Sequence, residues 1–161
     1  INIKHEKDGR DLMVDNDALY MRIALDEAAK AMEEDEIPIG AVLVKNDEVV
    51  LSNHNRTRQL KNPLAHAEHL ILDSILEQGE KYLYDYTLYV TVEPCTMCAG
   101  MLVWSRIGKI VFGCYDEKAG AVGSIYHVLR NMNFNHHPEV INGILENECS
   151  SIIRTFFQNK R

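Results

Sequence analysis

The chain has 161 residues, 46% apolar and 25% charged, with a formal net charge of −7. That length and composition fit one globular domain with a full core and leave no apolar run near the roughly 18–20 residues of a membrane-spanning helix. Net acidity argues against nucleic-acid binding over the surface as a whole, and leaves a local basic patch to be looked for. No export signal stands in the polar residues 1–16, so Cys95, Cys98, Cys114 and Cys149 are expected as free thiols or metal ligands of a cytoplasmic protein.

Residues 1–16 show no period and read as a loose tail, with a single domain over 17–161. Ala18, Met21, Leu25, Ala28 and Met32 recur at steps of three and four, which predicts an amphipathic helix over 17–32. The acidic run Glu33-Glu34-Asp35-Glu36 reads as a solvated face or turn, and Pro38 ends any helix. Alternation of Val42 and Val44, then Val49 and Leu51, predicts a hairpin of strands 40–45 and 48–53 turning at Asn46-Asp47. The polar stretch 55–63 carries Arg56, Arg58 and Lys61 and no acid. A helix is expected over 65–77, with Leu72, Ile75 and Leu76 facing a core and Gln78-Gly79 closing it.

Residues 87–92 read as a strand, 95–104 as a helix and 109–113 as a strand. This alternation suggests parallel pairing with right-handed crossovers. A glycine-containing loop over 116–124, a short helix at 125–130 and a loop at 131–138 follow. A last short strand is expected at 139–144, then a terminal helix over 146–159 with Cys149, Ile152, Ile153, Phe156 and Phe157 on or near one face. The elements make one three-layer α/β domain.

Cys95 and Cys98 sit one helical turn apart after Pro94, so both thiolates can reach one cation. The pair alone is a weak signal: a redox dithiol, half of a structural zinc site and coincidence each fit. His66 opens a helix just after Pro63, as Cys95 does after Pro94. Two positive helix ends converging on one spot favour thiolates there. One histidine and two cysteines leave a fourth tetrahedral position for water, the pattern of a catalytic zinc. Glu68 lies about 200° around the helix from His66, a poor position for a ligand. In the first turn it can still point into the cleft as a proton carrier. Cys114 and Cys149 are isolated, and Cys149 reads as core. His69, His127, His136 and His137 carry no second signature, and His54, next to Asn55, is a further candidate for the cleft.

His66-Ala67-Glu68 followed by Pro94-Cys95-Thr96-Met97-Cys98 is the signature of zinc nucleobase deaminases. The stretches Glu93 through Gly100, Ser105-Arg106-Ile107, Val111-Phe112-Gly113 and Lys118 through Ser124 narrow the match. With Pro38-Ile39-Gly40-Ala41-Val42, Asn55 eleven residues before His66, and Phe156-Phe157, the chain resembles the bacterial tRNA-specific adenosine deaminases from about Tyr20 to its end. Leu64 stands where threonine is usual, and residues 101–104 are bulkier than the usual run after Cys-Ala-Gly.

The resemblance implies a cytidine-deaminase-like α/β/α fold, with a central mixed sheet of about five strands and helices on both faces. It implies one Zn2+ per subunit with a bound water, held by His66, Cys95 and Cys98, and Glu68 as the catalytic proton carrier. The implied reaction is hydrolytic deamination of a flipped-out adenosine to inosine at the wobble position of a tRNA anticodon, with an arginine tRNA as the implied substrate. Asn55 would contact the target base, Asp116 the sugar beside it, and Phe156 and Phe157 the anticodon region. The partners implied are a tRNA anticodon stem-loop and a second copy of the chain. The 55–61 loop together with Arg154, Lys160 and Arg161 would form a basic rim, with acid concentrated elsewhere at 33–36. Three rivals stay open: a deaminase of a free base or nucleoside such as guanine, cytosine or cytidine, a non-catalytic RNA-binding zinc module, and a thiol redox protein. Glu68 speaks against the second, and the third needs neither His66 nor Glu68.

Overall fold

The structure, a computed structural model, describes the backbone of residues 4–7, 10–13 and 16–160, and side chains from residue 16 to 160. Within the stretch read as a loose tail, β1 (Lys4–Lys7) and β2 (Arg10–Met13) pair antiparallel, with Lys7 opposite Arg10. Strands this short carry too little alternation to be seen in the sequence.

Helix α1 (Asn16–Glu33) follows its predicted span and buries Met21, Ala24, Leu25 and Ala28. It packs on β3 (Gly40–Lys45), which pairs antiparallel with β4 (Glu48–His54). The turn residues Asn46 and Asp47 have φ of 52° and 61°. Asparagine and aspartate tolerate this left-handed region, which a tight two-residue hairpin demands. At Gly40 a Cβ would lie 2.0 Å from the Ala24 carbonyl oxygen. The bare α-carbon is what lets α1 lie directly on the strand.

Next come α2 (Ala67–Glu77), β5 (Tyr86–Val92), α3 (Thr96–Trp104) and β6 (Lys109–Cys114). A 3-10 turn at Val128–Arg130, the short strand β7 (Glu139–Ile141) and α4 (Glu146–Gln158) complete the chain. The sheet order is β4-β3-β5-β6-β7. Strand β5 runs parallel to β6, and β6 to β7, but β3 lies antiparallel between β4 and β5. The parallel pairing suggested across α2 is therefore a crossover that skips one strand, and the sheet is mixed. Burial explains the order. Residues 40–44 of β3 are all buried, whereas Glu48, Val49 and Val50 of β4 are exposed, so β4 takes the edge.

The two faces of the sheet carry two cores. Ala41, Leu43, Leu88, Val90, Ile110 and Phe112 pack with Ile71, Leu72 and Ile75 of α2 and Leu102 of α3. Val42, Val44, Tyr89 and Val111 pack with Tyr20, Met21 and Leu25 of α1 and Cys149 of α4. This is the expected three-layer α/β/α fold. Strands β4, β5 and β6 run in one direction, so the segments after His54, Val92 and Cys114 all leave the sheet at one edge. Among the described residues no helix is long and apolar enough to cross a membrane.

Candidate active site

His66 and Cys95 are the residues immediately before α2 and α3, each with extended backbone (φ −73°, ψ 154° and φ −76°, ψ 177°). The turn around Pro63 is closed by bonds from the Ala65 and His66 N–H groups to the carbonyls of Asn62 and Leu64, at 3.1 and 2.8 Å. It delivers the imidazole to the start of α3. The Sγ atoms of Cys95 and Cys98 each lie 3.6 Å from His66 Nδ1, and one donor atom from each residue lies within 4.8 Å of the other two. Zn–S bonds of about 2.3 Å and Zn–N bonds of about 2.0–2.1 Å at tetrahedral angles separate sulfur from nitrogen by about 3.6 Å. The donor set and its spacing therefore fit one Zn2+. The Cys98 thiol and the His66 ring hold Cys95 down to about 4 against the opposing effect of burial. The bond to Cys95 and burial push Cys98 up. Low-pKa sulfur at a helix start is what a soft cation selects.

Glu68 sits in the first turn of α2 and is 4% exposed. Burial pushes its carboxyl up to about 7, although its own backbone N–H and the His66 charge pull the other way. It lines a cleft of ≈ 600 Å³ with His66, Cys95, Asn55, Arg58 and Asp116, a volume suited to a small ligand. Asn55 is buried, its N–H donates to the Ile39 carbonyl at 3.0 Å, and its side-chain oxygen has no hydrogen-bond partner among the described residues. A buried polar atom left unpaired in a cleft is costly unless a ligand satisfies it.

Asp116 lines the same cleft, on the loop after β6. Its Oδ1 accepts the N–H groups of Lys118 and Ala119 at 3.0 and 3.2 Å. Glu93, whose role the sequence reading passed over, holds that loop. Its carboxylate accepts the N–H groups of Asp116, Val122 and Ser124 and the Ser124 hydroxyl. A Cβ at Gly120 would lie 2.2 Å from the same carboxylate, so the loop closes over it only with glycine there. The sequence signal was a charged residue ending an otherwise buried strand.

A second hollow of ≈ 680 Å³ shares Ile37, Ile39, Val92, Asp116 and Ala119 with the first and adds Lys118, Arg154 and Phe157. Phe157 is 45% exposed there, whereas Phe156 is buried at 7%, packed edge-to-face on Phe157 under the Lys160 ammonium. His54 does not line the cleft. It is buried behind it, bonded at 2.7 Å to Glu27 through Nδ1 and at 2.7 Å to Glu34 through Nε2. The acid at 33–36 is not remote from the basic loop as expected. Asp35 pairs with both Arg58 and Lys160. The loop after β4 and the segment just past α4 fold back on that turn, a long-range contact that local charge counts do not reveal.

A thiolate–imidazole cation site with a buried carboxyl alongside, at the open edge of a mixed sheet of this order, is the architecture of zinc-dependent deaminases. A family model of the cytidine and deoxycytidylate deaminase zinc-binding region matches residues 14–114. The tRNA-specific adenosine deaminase of Bacillus subtilis (strain 168) is 46% identical over 146 residues, 90% of this chain and 91% of that one. That of Haemophilus influenzae is 44% identical over 147 residues, 90% of this chain and 85% of that one. A solved structure from a study of A-to-I editing by tRNA:A34 deaminases at the wobble position matches with TM-score 0.79 and 41% identity, over 83% of this chain and 98% of that one. A guanine deaminase from Nitrosomonas europaea, 21% identical with TM-score 0.71 over 86% of this chain and 83% of that one, shares the fold. The chain belongs to the tRNA-specific adenosine deaminases, within the cytidine and deoxycytidylate deaminase family.

Proposed function

We propose that this protein converts adenosine to inosine at the wobble position of a tRNA anticodon, with release of ammonia. The observation that carries the reading is the unpaired, buried Asn55 amide oxygen in a cleft that also holds the Glu68 carboxyl and the His66, Cys95 and Cys98 donors. His66 Nδ1 and the two Sγ atoms would hold the Zn2+, which would supply a water acidic enough to act as a nucleophile at neutral pH. The Asn55 oxygen accepts from the exocyclic amine of the incoming adenine, the donor that an amide side chain recognises on this base. Glu68 takes one proton from the water and places it on the ring N1, then takes the second from the hydroxyl now on C6 and hands it to the departing amine, which leaves as ammonia. Water is added and ammonia lost, so no further reactant is needed. Burial of Glu68 keeps bulk water from competing for that proton. Asp116 contacts the sugar beside the target, and Phe157 the neighbouring anticodon nucleotides. Phe156 supports Phe157 from behind.

The base must leave its stack to enter a cleft of this kind, which costs least in an unpaired loop. The substrate is therefore an anticodon stem-loop, an arginine tRNA by the resemblance, met in the cytoplasm. Fractionation of cells carrying a tagged protein checks that location. The enzyme works as a homodimer, supported by an exposed hollow that Trp104, 84% accessible, and Phe134, 38% accessible, line together.

The test is incubation with an anticodon stem-loop bearing a wobble adenosine, with and without chelator, reading inosine by mass spectrometry. Stem-loops of other tRNAs, free adenosine, cytidine and guanine run alongside. Inosine only in the metal-replete stem-loop reaction is expected. Turnover of the free compounds alone would overturn the reading in favour of a nucleoside or nucleobase deaminase.

A further inference from the structure

Of the four acids in the run at 33–36, the last is fully buried: Glu36 is 0% exposed. Its own N–H donates to the Ala31 carbonyl at 2.9 Å, so it hangs from the end of α1. Both oxygens of its carboxylate face the 56–63 loop. Oε1 accepts the Arg58 N–H at 3.0 Å and Oε2 the Gln59 N–H at 2.8 Å. The loop already closes on itself through Leu60 N–H to the Arg56 carbonyl, Asn62 N–H to that of Thr57 and Arg56 N–H to that of Ala65, each at 3.0 Å. Internal closure therefore does not require Glu36.

Burying a carboxylate is costly, and charge-assisted bonds to two backbone donors offset the cost only if their positions are fixed. What Glu36 adds is the placement of the loop relative to α1. A second tie supports the same placement from the other side: His54 is clamped between Glu27 of α1 and Glu34 just past its end. The two ties bracket Asn55 in the chain, and Arg58, Lys61 and Asn62 of the tethered loop form one wall of the cleft.

We propose that Glu36 is a positioning residue that holds Asn55 and the 56–63 wall in their substrate-ready arrangement before RNA arrives. This rests on the adenosine-deaminase reading above. Glu36 touches no substrate and acts through the loop. A loop released from this tie samples other arrangements, and binding must first reorder it. Apparent affinity falls by the fraction of molecules in the competent arrangement, while the bound complex, once formed, reacts as before.

Kinetics of the zinc-loaded enzyme on the wobble-adenosine stem-loop separate this from plain destabilisation. Glu36→Gln keeps the shape but sets an amide NH2 against one of the two N–H donors. It is expected to raise KM about ten-fold and to leave kcat within about two-fold. Glu33→Gln, an exposed position in the same run, is expected to match wild type. A merely structural role would lower the active fraction, and so kcat, at unchanged KM. That pattern, or wild-type kinetics in Glu36→Gln, overturns the proposal. Amide hydrogen exchange on the wild-type chain is the second measurement and does not depend on the variant folding. The Arg58 and Gln59 amides are expected to be protected, and exchange at free-peptide rates would overturn the tether. If the wild-type enzyme makes no inosine, the functional reading fails, and the exchange result still decides the tether.

Discussion

Glu68 is where proton transfer is proposed, and its environment differs from that of the three cation ligands next to it. It is buried, sits in the first turn of α2 and is not one of the three donors. Glu68→Gln should therefore keep the metal and lose about 10²–10⁴-fold in turnover, the usual effect of removing a general acid–base. Cys95→Ala should lose both. Metal analysis together with single-turnover inosine formation checks the pair, and near-normal turnover in Glu68→Gln would remove it from the chemistry. His66, Cys95 and Cys98 were legible in the sequence because their signal is local: a proline, a helix start and a one-turn spacing. Glu36 and Glu93 were not, because their partners are backbone N–H groups 22 to 31 residues away. Residue types carry no mark of such a partner. His54 looked like a cleft residue for the same reason, since neither Glu27 nor Glu34 is near it in sequence.

At the scale of elements, the loop after β6 depends on one carboxylate from the end of β5. Burial pushes Glu93 up, but hydrogen bonds from Ser124, Asp116 and Val122 outweigh that and hold it below the ordinary carboxylate value of 4.5. A group with a lowered folded pKa stabilises fully above its unfolded value, and that contribution is lost as pH falls through the folded one. The wild-type melting temperature should thus carry no Glu93-dependent slope near neutrality and should fall as pH drops below about 4.5. Glu93→Gln should melt lower at neutral pH, by about 1–3 kcal/mol of stability for an unsatisfied buried donor, and should show a shallower acid limb. Parallel melting curves against pH for the two proteins would show that the charge does not hold the loop. Most elements could be read from hydrophobic period. Strand order could not, because β3 and β4 alternate alike in the sequence, and it is burial on both faces that puts β3 inside. Nor could the split between Phe156 and Phe157 be read, since adjacent aromatics on a helix differ only in what packs against them.

For the whole molecule, two surfaces bear on the proposed dimer and on substrate capture. The exposed Trp104 and Phe134 border one hollow with Val103 and Arg106. An apolar face of this kind fits a self-complementary contact, for which about 800 Å² per partner is usual. Trp104→Glu should convert a dimer into a monomer in sedimentation equilibrium, and a wild-type monomer would end the dimer reading. Charge governs the other surface. The protein carries −7 overall, yet Arg56, Lys61, Lys118 and Arg154 have no salt-bridge partner among the described residues, while Arg58 and Lys160 are engaged by Asp35. Cations without a carboxylate partner are the ones able to release counterions from phosphate. If three or four of them do so, log affinity for the stem-loop should fall against log salt with a slope of about −2 to −4. Raising salt from about 50 to 200 mM would then weaken binding about 16–256-fold. Fluorescence anisotropy with a labelled stem-loop measures the slope directly. An affinity flat over that range would mean that the base pocket, and no basic rim, captures the RNA.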